Sequence, residues 1–193
     1  MDTPACAAAV DLDGLETLVA GRRTNLRMDP DRAVDDALIS RLCALGMWAP
    51  NHKRTWPWRF AALRGDARAR LGDALGDALT AQGAEEAKVA KARGKYLRAP
   101  VVLAVASAAA LDAERDAENR DAVAAGVQNV LLGATAAGLA SYWGTGAVTG
   151  LDAVKALCGF DRSDTIVALI YLGWPVGDVP VPERPPVAVR FIA

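Results

Sequence analysis

Apolar residues recur at helical spacing in the first part of the chain and predict two helices there. The first helix has apolar positions three or four residues apart and is expected to end near Gly21. These positions are Leu12, Leu15, Leu18 and Val19. A second helix is predicted over residues 34–48, and Pro50 ends it because the residue before a proline disfavours the helical region. Residues 1–10 carry no such pattern and are predicted to be a loose lead-in.

Short runs of apolar and β-branched residues predict the strands. Residues 58–63 alternate in part, whereas residues 101–106 and 165–173 are nearly continuous apolar runs with the length of a buried strand. Residues 141–145 are predicted to be extended, and residues 187–191 are predicted to add an edge strand.

Helical patterns fill the intervals between these strands. Residues 67–97 are rich in Ala, Leu, Glu and Lys and are interrupted near Gly83, which predicts two helices. The charged stretch 112–121 is interpreted as an exposed loop or as the first turn of a long helix that ends near Leu139. A short helix is predicted over residues 151–158. Because helices and strands interleave, with more helix than sheet, the fold class is α+β or mixed α/β.

Composition and charge exclude several classes of protein. Apolar residues make up 52% and charged residues 23%, and no linker or repeat divides residues 11–193, which are predicted to form a single domain. The formal net charge of −1 gives no basic surplus for binding nucleic acid. The most apolar stretch, residues 101–111, is shorter than the roughly 20 residues that a membrane-spanning helix needs. The N-terminus lacks the positive charge of a secretory signal, so we expect a cytoplasmic protein.

The single histidine and the three cysteines argue against a metal centre and a disulfide framework. One histidine cannot build a His-rich metal site, and Cys6, Cys43 and Cys158 show no close paired spacing. We therefore expect no metal site and a reducing compartment. The cysteines are expected to be inert, since no base can be assigned beside any of them.

Arg22, Arg23 and Thr24 follow directly from the first predicted helix and form a candidate phosphate site. Guanidinium groups bind phosphate through planar, bidentate hydrogen bonds, and a threonine hydroxyl adds a further donor. The alternative is a solvated helix C-terminus, where the helix dipole favours cations. From spacing alone the alternative is the more common explanation of an arginine pair.

Residues 50–58 are the richest candidate site, because they place the only histidine, His52, among large flat side chains. Trp48, Trp56 and Trp58 lie close to it in sequence. Rings that stack on a ligand, next to polar donors that reach its heteroatoms, suit a planar and partly polar molecule. A loop whose tryptophans only fill the core explains the same pattern equally well.

The glycine-rich segment 144–150 comes close to a dinucleotide-binding fingerprint but does not match it. The fingerprint needs glycine at position 149, where this chain has Thr149, and the segment follows a helix and a short extended piece. A Rossmann-type site is therefore not predicted. The glycines still allow the backbone to approach a flat ligand closely.

Several segments, in this order and at this spacing, resemble the nitroreductase family and specifically its short single-domain branch. The segments are Arg22-Arg23-Thr24, Ala49-Pro50-Asn51-His52-Lys53, Pro57-Trp58-Arg59-Phe60, residues 128–138, Ser141-Tyr142-Trp143-Gly144-Thr145 and residues 170–175. The resemblance covers residues 12–176, and it rests on the order of the motifs rather than on any one of them.

The resemblance implies an α+β fold with a central mixed sheet flanked by helices, in an intertwined homodimer with FMN at each of two subunit interfaces. By this resemblance Arg22, Arg23 and Thr24 hold the ribityl phosphate of the flavin. His52 and Trp56 reach the flavin of the partner subunit. Trp56 is a departure, because a polar residue such as glutamine is familiar at its position.

The resemblance also implies roles for two segments that follow the long helix or end it. Backbone groups of Trp143, Gly144 and Thr145 lie along the isoalloxazine edge. A second segment corresponds to one associated with the nicotinamide nucleotide in relatives. Its residues are Gly133, Ala134, Thr135, Ala136, Ala137 and Gly138. Many relatives hold the phosphate with a further basic residue near the C-terminus, for which Arg190 is a candidate in a tail that matches poorly.

The implied activity is the transfer of hydride from NAD(P)H to the flavin, and of electrons onward to a nitroaromatic, a quinone or a related electron-poor acceptor. The flavin carries this chemistry, so no catalytic side chain is implied. Two alternatives stay open. One is a flavin-dependent dehydrogenase or unsaturated-bond reductase on the same scaffold, and the other is a non-enzymatic protein that stores or senses FMN.

Overall fold

A four-stranded sheet with the strand order β1-β2-β4-β3 forms the centre of the protein. The structure is a computed structural model that describes residues 11–192, so the predicted lead-in over residues 1–10 lies outside the described residues. The strands are β1 (Trp58–Leu63), β2 (Val101–Ser107), β3 (Ala140–Gly144) and β4 (Thr165–Gly173). The four corresponding strand predictions are confirmed with small shifts of their ends.

Six α-helices connect and cover the strands within residues 11–192. The helices are α1 (Leu12–Gly21), α2 (Asp36–Gly46), α3 (Asp66–Ala81), α4 (Glu86–Arg93), α5 (Ala113–Ala136) and α6 (Asp152–Cys158). The prediction of two helices between residues 67 and 97 is confirmed, and the charged stretch 112–121 forms the beginning of α5. None of the helices in the described part of the chain is both long and apolar enough to cross a membrane.

The expected mixed sheet is wrong for these four strands, because all three strand pairings are antiparallel. A pair of helices, α3 and α4, joins β1 to β2. Because these two strands are antiparallel, β2 begins at the same end of the sheet at which β1 ends. The single helix α5 joins β2 to β3, which run in the same direction, but β4 lies between them. The one parallel pairing in residues 11–192 is an isolated bridge between Thr24 and Ser141.

Helices cover both faces of the sheet and create two apolar cores. On one face α2 and α5 pack against Val101 and Leu103 of β2, and on the other face α3 and α6 pack against Val102. Successive side chains of a strand point to opposite faces, so β2 is buried on both sides. This burial explains the continuous apolar run from which the strand was predicted. The close packing of α5 against α2 requires a residue without a side chain at Gly126, since a Cβ there would lie 2.5 Å from the carbonyl oxygen of Gly46 on α2.

The helix α1 confirms its prediction but differs from the other helices because none of its residues is buried. Its apolar positions Leu12, Leu15 and Val19 are between 45% and 68% exposed. The apolar stripe that predicted the helix is therefore largely uncovered by the described chain.

The C-terminal tail after Pro175 is irregular, and the predicted edge strand over residues 187–191 is wrong. Side chains of this segment such as Val187 and Phe191 are exposed. The tail contains four prolines, which cannot donate the backbone hydrogen bonds that a strand ladder needs. They are Pro180, Pro182, Pro185 and Pro186.

Candidate functional site

The segment Arg22–Thr24 leaves α1 and joins the edge of the sheet. The N–H of Arg22 makes the last hydrogen bond of the helix, at 3.1 Å. Thr24 then forms the isolated parallel bridge with Ser141 of β3, and the N–H of Asn25 donates to the carbonyl of Ser141 at 2.9 Å. The backbone of the predicted phosphate segment is therefore fastened to β3.

A groove of about 720 Å³ lies between α1, α5 and the C-terminal tail, and both arginines line it. Gln128 of α5 and Arg184 of the tail are also part of its wall, together with the carboxylate of Glu16. Within residues 11–192 neither Arg22 nor Arg23 forms an ion pair. The guanidinium of Arg23 donates only to backbone carbonyls. The groove thus presents two adjacent cations without an ion-pair partner among residues 11–192.

The end of β3 is shaped by a bulge in the neighbouring strand. The register between β2 and β4 shifts after Val105, which leaves Val167 as an extra residue of β4. The indole N–H of Trp143 donates to the carbonyl of Val167 at 3.3 Å, so the bulge anchors this side chain. Gly144 is buried and follows directly, and Thr145 is exposed just beyond the strand. The predicted flavin-edge residues therefore share one sheet edge with the Thr24 bridge.

The loop that contains His52 has an unusual backbone that its own side chains hold in place. Lys53, Arg54 and Trp56 have positive φ angles of 60°, 52° and 51°, a left-handed region that residues other than glycine adopt rarely. The side chain of Asn51 accepts a hydrogen bond from the N–H of Trp56 at 2.9 Å and donates one to the hydroxyl of Thr55 at 3.0 Å. These bonds fold the loop back on itself.

Two consecutive residues of α5 anchor the same loop. Nδ1 of His52 lies 2.7 Å from Oε1 of Glu118, and the hydroxyl of Thr55 donates to Oδ1 of the buried Asn119 at 2.5 Å. The second carboxylate oxygen of Glu118 forms an ion pair with Nη1 of Arg115 at 3.3 Å. The loop is therefore fixed against the beginning of α5 by polar contacts, in addition to its packing.

The two halves of the predicted cofactor site lie at different places along α5. His52 contacts Glu118, whereas Arg22 and Arg23 share their groove with Gln128, ten residues further along the helix. At 1.5 Å of rise per residue this separation is roughly 15 Å along the helix axis. Within one chain the structure brings the arginines together with the edge of β3, and it does not bring them to His52.

Most of the predicted nucleotide segment is used for packing or for ending α5. A Cβ at Gly133 would lie 2.6 Å from Cδ1 of Leu45, and Ala134 is fully buried. The hydroxyl of Thr135 donates to a backbone carbonyl one turn earlier in the helix. Gly138 adopts a φ of 76° just after the helix. The members open to solvent are Ala136 and Gly138, while Ala137 is half-buried.

Trp56 and Arg190 are the positions at which the resemblance was weakest. The Trp56 ring centroid lies 6.3 Å from that of Trp58, yet 55% of Trp56 is exposed, so it packs and remains open to a ligand. Arg190 is exposed and does not line the 720 Å³ groove, whereas Arg184 does.

Sequence reasoning missed Glu118 and Asn119, because the stretch 112–121 has the composition of a solvated face. Both residues follow the N-cap Asp112 by about two helical turns, and nothing in their spacing indicates the loop residues that they contact.

The described cysteines fit the expectation of inert thiols, since burial raises the pKa of Cys43 and of Cys158 to about 11. Cys6 lies outside the described residues.

Comparisons with known proteins agree on one family. The profile described as "Nitroreductase family" matches residues 19–174. YdjA of Escherichia coli K12, provisionally named an NAD(P)H nitroreductase, is 28% identical over 185 residues, which cover 93% of this chain and 100% of YdjA. A nitroreductase-like family protein from Bacillus cereus has a TM-score of 0.75 at 25% identity, over 96% of this chain and 94% of that chain. The FMN-dependent nitroreductase NfnB from Mycobacterium smegmatis, solved with NADPH, has a TM-score of 0.70 at 20% identity, over 89% and 94%.

Proposed function

The chain belongs to the nitroreductase family, and we propose that it is an FMN-dependent oxidoreductase. In this proposal NAD(P)H is the reductant, and the acceptors are nitroaromatics, quinones or related electron-poor molecules. FMN and NADPH are named for the Mycobacterium smegmatis relative, and NAD(P)H for YdjA. The single observation on this chain that carries the proposal is the pair of half-buried cations, Arg22 and Arg23, which line a groove and form no ion pair with any residue from 11 to 192.

The donor set of this groove fits the phosphate of FMN. Two guanidinium groups form bidentate, charge-assisted hydrogen bonds with a phosphate, and Thr24 adds an exposed hydroxyl next to them. The wall also offers apolar side chains from α1, including Leu15 and Val19. We propose that these three polar residues hold the phosphate.

The edge of β3 fits the flavin ring. Trp143 is held by the bulge carbonyl, and backbone groups follow it at Gly144 and Thr145 without a bulky side chain at the glycine. When bound, FMN supplies the chemistry by accepting a hydride and passing electrons to the acceptor. Donors along this edge would stabilise the negative charge that a flavin gains on reduction. The described residues supply position and electrostatics, and no protein nucleophile is needed.

We further propose that two copies of the chain form each site in an intertwined homodimer. One copy contributes the arginines and the edge of β3, and the partner contributes its own His52 loop with Trp56. The roughly 15 Å between these groups along α5 supports this division, since one chain does not bring them together. The uncovered apolar stripe of α1 and the exposed apolar tail supply surface for such an association.

NAD(P)H would reach the open part of residues 133–138, at Ala136 and Gly138.

The test is a flavin titration followed by anaerobic reduction. We expect the purified protein to be yellow, or to take up about one FMN per chain, and the bound flavin to bleach on addition of NADH or NADPH. A colourless protein that gains no visible absorbance with FMN would contradict the proposal. A yellow protein that neither nucleotide bleaches would indicate FMN storage instead. A screen of nitroaromatics, quinones and unsaturated carbonyl compounds then identifies the acceptor class.

A further inference from the structure

Among residues 11–192 the imidazole of His52 has a single polar side-chain partner, the carboxylate of Glu118. Nδ1 of His52 lies 2.7 Å from Oε1 of Glu118. The imidazole side chain is 56% exposed, so packing alone leaves it free to rotate. The Glu118 side chain is 32% exposed, and its other oxygen faces Arg115 at 3.3 Å. The Glu118 carboxylate thus contacts Arg115 on its own helix and His52 in the loop at the same time.

We propose that Glu118 is a positioning residue that sets the orientation and the tautomer of His52. A carboxylate accepts hydrogen bonds and cannot donate one, so the contact requires a proton on Nδ1 of the imidazole. In the neutral ring Nε2 is then unprotonated, and it lies on the side of the ring away from Glu118. Glu118 thereby presents His52 to a ligand as a hydrogen-bond acceptor in a defined direction.

The loop backbone is held by other contacts, which separates this role from a merely structural one. The hydroxyl of Thr55 donates to Asn119, and the N–H of Trp56 donates to Asn51. Loss of the Glu118 carboxylate therefore leaves the backbone anchors in place. Its removal is expected to act on the imidazole and on the Arg115 ion pair, and not on the backbone of the loop.

The identity of the ligand that His52 faces rests on the proposed function, in which the ligand is FMN bound to the partner subunit. The orientation of the ring does not depend on that proposal. A direct observation of the imidazole therefore tests Glu118 even if FMN does not bind.

The direct test is nitrogen-15 NMR of the imidazole, at a pH where the ring is neutral. The chain contains one histidine, so in protein freed of any affinity tag every imidazole signal belongs to His52. We expect the wild-type protein to carry the proton on Nδ1, and Glu118→Ala to shift the proton largely to Nε2. Glu118→Gln carries both an acceptor oxygen and a donor amide, so it can pair with either tautomer and should keep the proton on Nδ1 only in part. Glu114→Ala removes an exposed carboxylate from the same helix and should change nothing.

The outcome that overturns the proposal is a wild-type imidazole with its proton on Nε2, or a Glu118→Ala spectrum identical to that of the wild type. A far-ultraviolet circular dichroism spectrum and a melting curve establish that each variant is folded. If Glu118→Ala does not fold, Glu118→Leu replaces it in the same comparison.

A second readout links the ring to the proposed reaction. Misplacing a group that contacts a ligand is expected to lower kcat/KM by about tenfold in Glu118→Ala. In a double-mutant cycle with His52→Ala, the second substitution should then add little, because both act through the same imidazole. Full additivity would contradict a role through His52. Failure of the wild-type protein to bind FMN would instead defeat the proposed function and leave the NMR result intact.

Discussion

The two segments that carry the polar site residues are built in opposite ways. Arg22–Thr24 is fastened through its backbone to β3, while both guanidinium groups face a groove without ion-pair partners among the described residues. The His52 loop is fastened through its side chains, since Asn51, Thr55 and His52 itself all bond within the loop or to α5. One segment leaves its donors available, and the other uses its polar groups to fix a shape.

This difference predicts different roles in binding. Guanidinium groups without ion-pair partners among the described residues retain donors for an anion, although Arg23 also donates to two backbone carbonyls, so the first segment should make the larger contribution to FMN affinity. A loop that its own side chains hold in place is ordered before any ligand binds, so the second segment should strengthen FMN binding by placing its side chains at a small cost of ordering. The predictions below test this contrast.

The largest expected effect is on FMN affinity in the Arg22→Ala/Arg23→Ala double variant. Each charge-assisted hydrogen bond contributes about 1.5–3 kcal/mol, so the loss of one bond from each arginine should raise the Kd for FMN by at least about 100-fold. The control is Arg70→Ala/Lys88→Ala, which removes two exposed cations from α3 and α4. Fluorescence titration measures both. Equal Kd values in the two double variants would remove the phosphate assignment.

The next effect concerns the packing of α5 against α2 and against the indole of Trp58. In Gly126→Ala a Cβ would lie 2.5 Å from the carbonyl oxygen of Gly46 and 2.6 Å from Nε1 of Trp58, so backbone or indole must move. Overpacking of this kind costs about 1–3 kcal/mol of the free energy of unfolding. Gly150→Ala, with no neighbouring atom within 4 Å, is the control and should stay near wild type. Urea denaturation compares them, and equal midpoints would show that α5 and α2 are not in close contact.

A smaller effect is expected for Asn51→Ala, which removes the side chain that folds the loop. The hydrogen bonds lost include the two shortest ones, to Thr55 and Trp56, next to residues with positive φ, and we expect the free energy of unfolding to fall by about 1–2 kcal/mol. Ser40→Ala removes an exposed side-chain bond to the backbone of α2 and should change stability by less than about 0.5 kcal/mol. If the two variants melt alike, the loop is not held as described.

The smallest effect concerns Tyr96, a core residue that belongs to neither segment and serves as a reference for ordinary burial. Its hydroxyl is buried without a hydrogen-bond partner, and burial raises its pKa to about 12. A raised pKa means that stability is lost as the pH rises, because the unfolded tyrosine ionises first, near pH 10. Tyr96→Phe should therefore be neutral or slightly stabilising at neutral pH, and should lose less stability than the wild type between about pH 9 and pH 11. Parallel urea curves at both pH values measure this, and an equal loss in the two proteins would contradict the assignment.

The sequence predicted those parts of the fold in which local pattern and burial agree. β2 and β4 were predicted because a strand buried on both faces must be a continuous apolar run. The edge strand predicted over residues 187–191 was wrong because these residues belong to a proline-rich tail. The mixed sheet was implied by the resemblance, and no local pattern corrected it, because the insertion of β4 between β2 and β3 brings together strands far apart in the chain.

The same limit applies to the site. Arg22–Thr24 was identified because its chemistry is concentrated in three adjacent residues. Glu118 was missed because its role depends on a histidine 66 positions away in the chain. The separation of Arg22 from His52 along α5 also became visible only once α5 was in place.

The measurement that tests the central claim most directly is complementation between two defective subunits. Two variants of the chain, Arg22→Ala/Arg23→Ala and His52→Ala, are co-expressed, and each carries a different affinity tag. The mixed dimer is isolated through both tags, and its bound FMN per chain is measured. If each site combines arginines of one copy with the histidine of the other, a mixed dimer has one intact site and one doubly defective site. We therefore predict that the mixed dimer recovers about half of the wild-type FMN content, while each parent dimer retains far less. A mixed dimer that binds no more FMN than its parents would contradict a site shared between subunits.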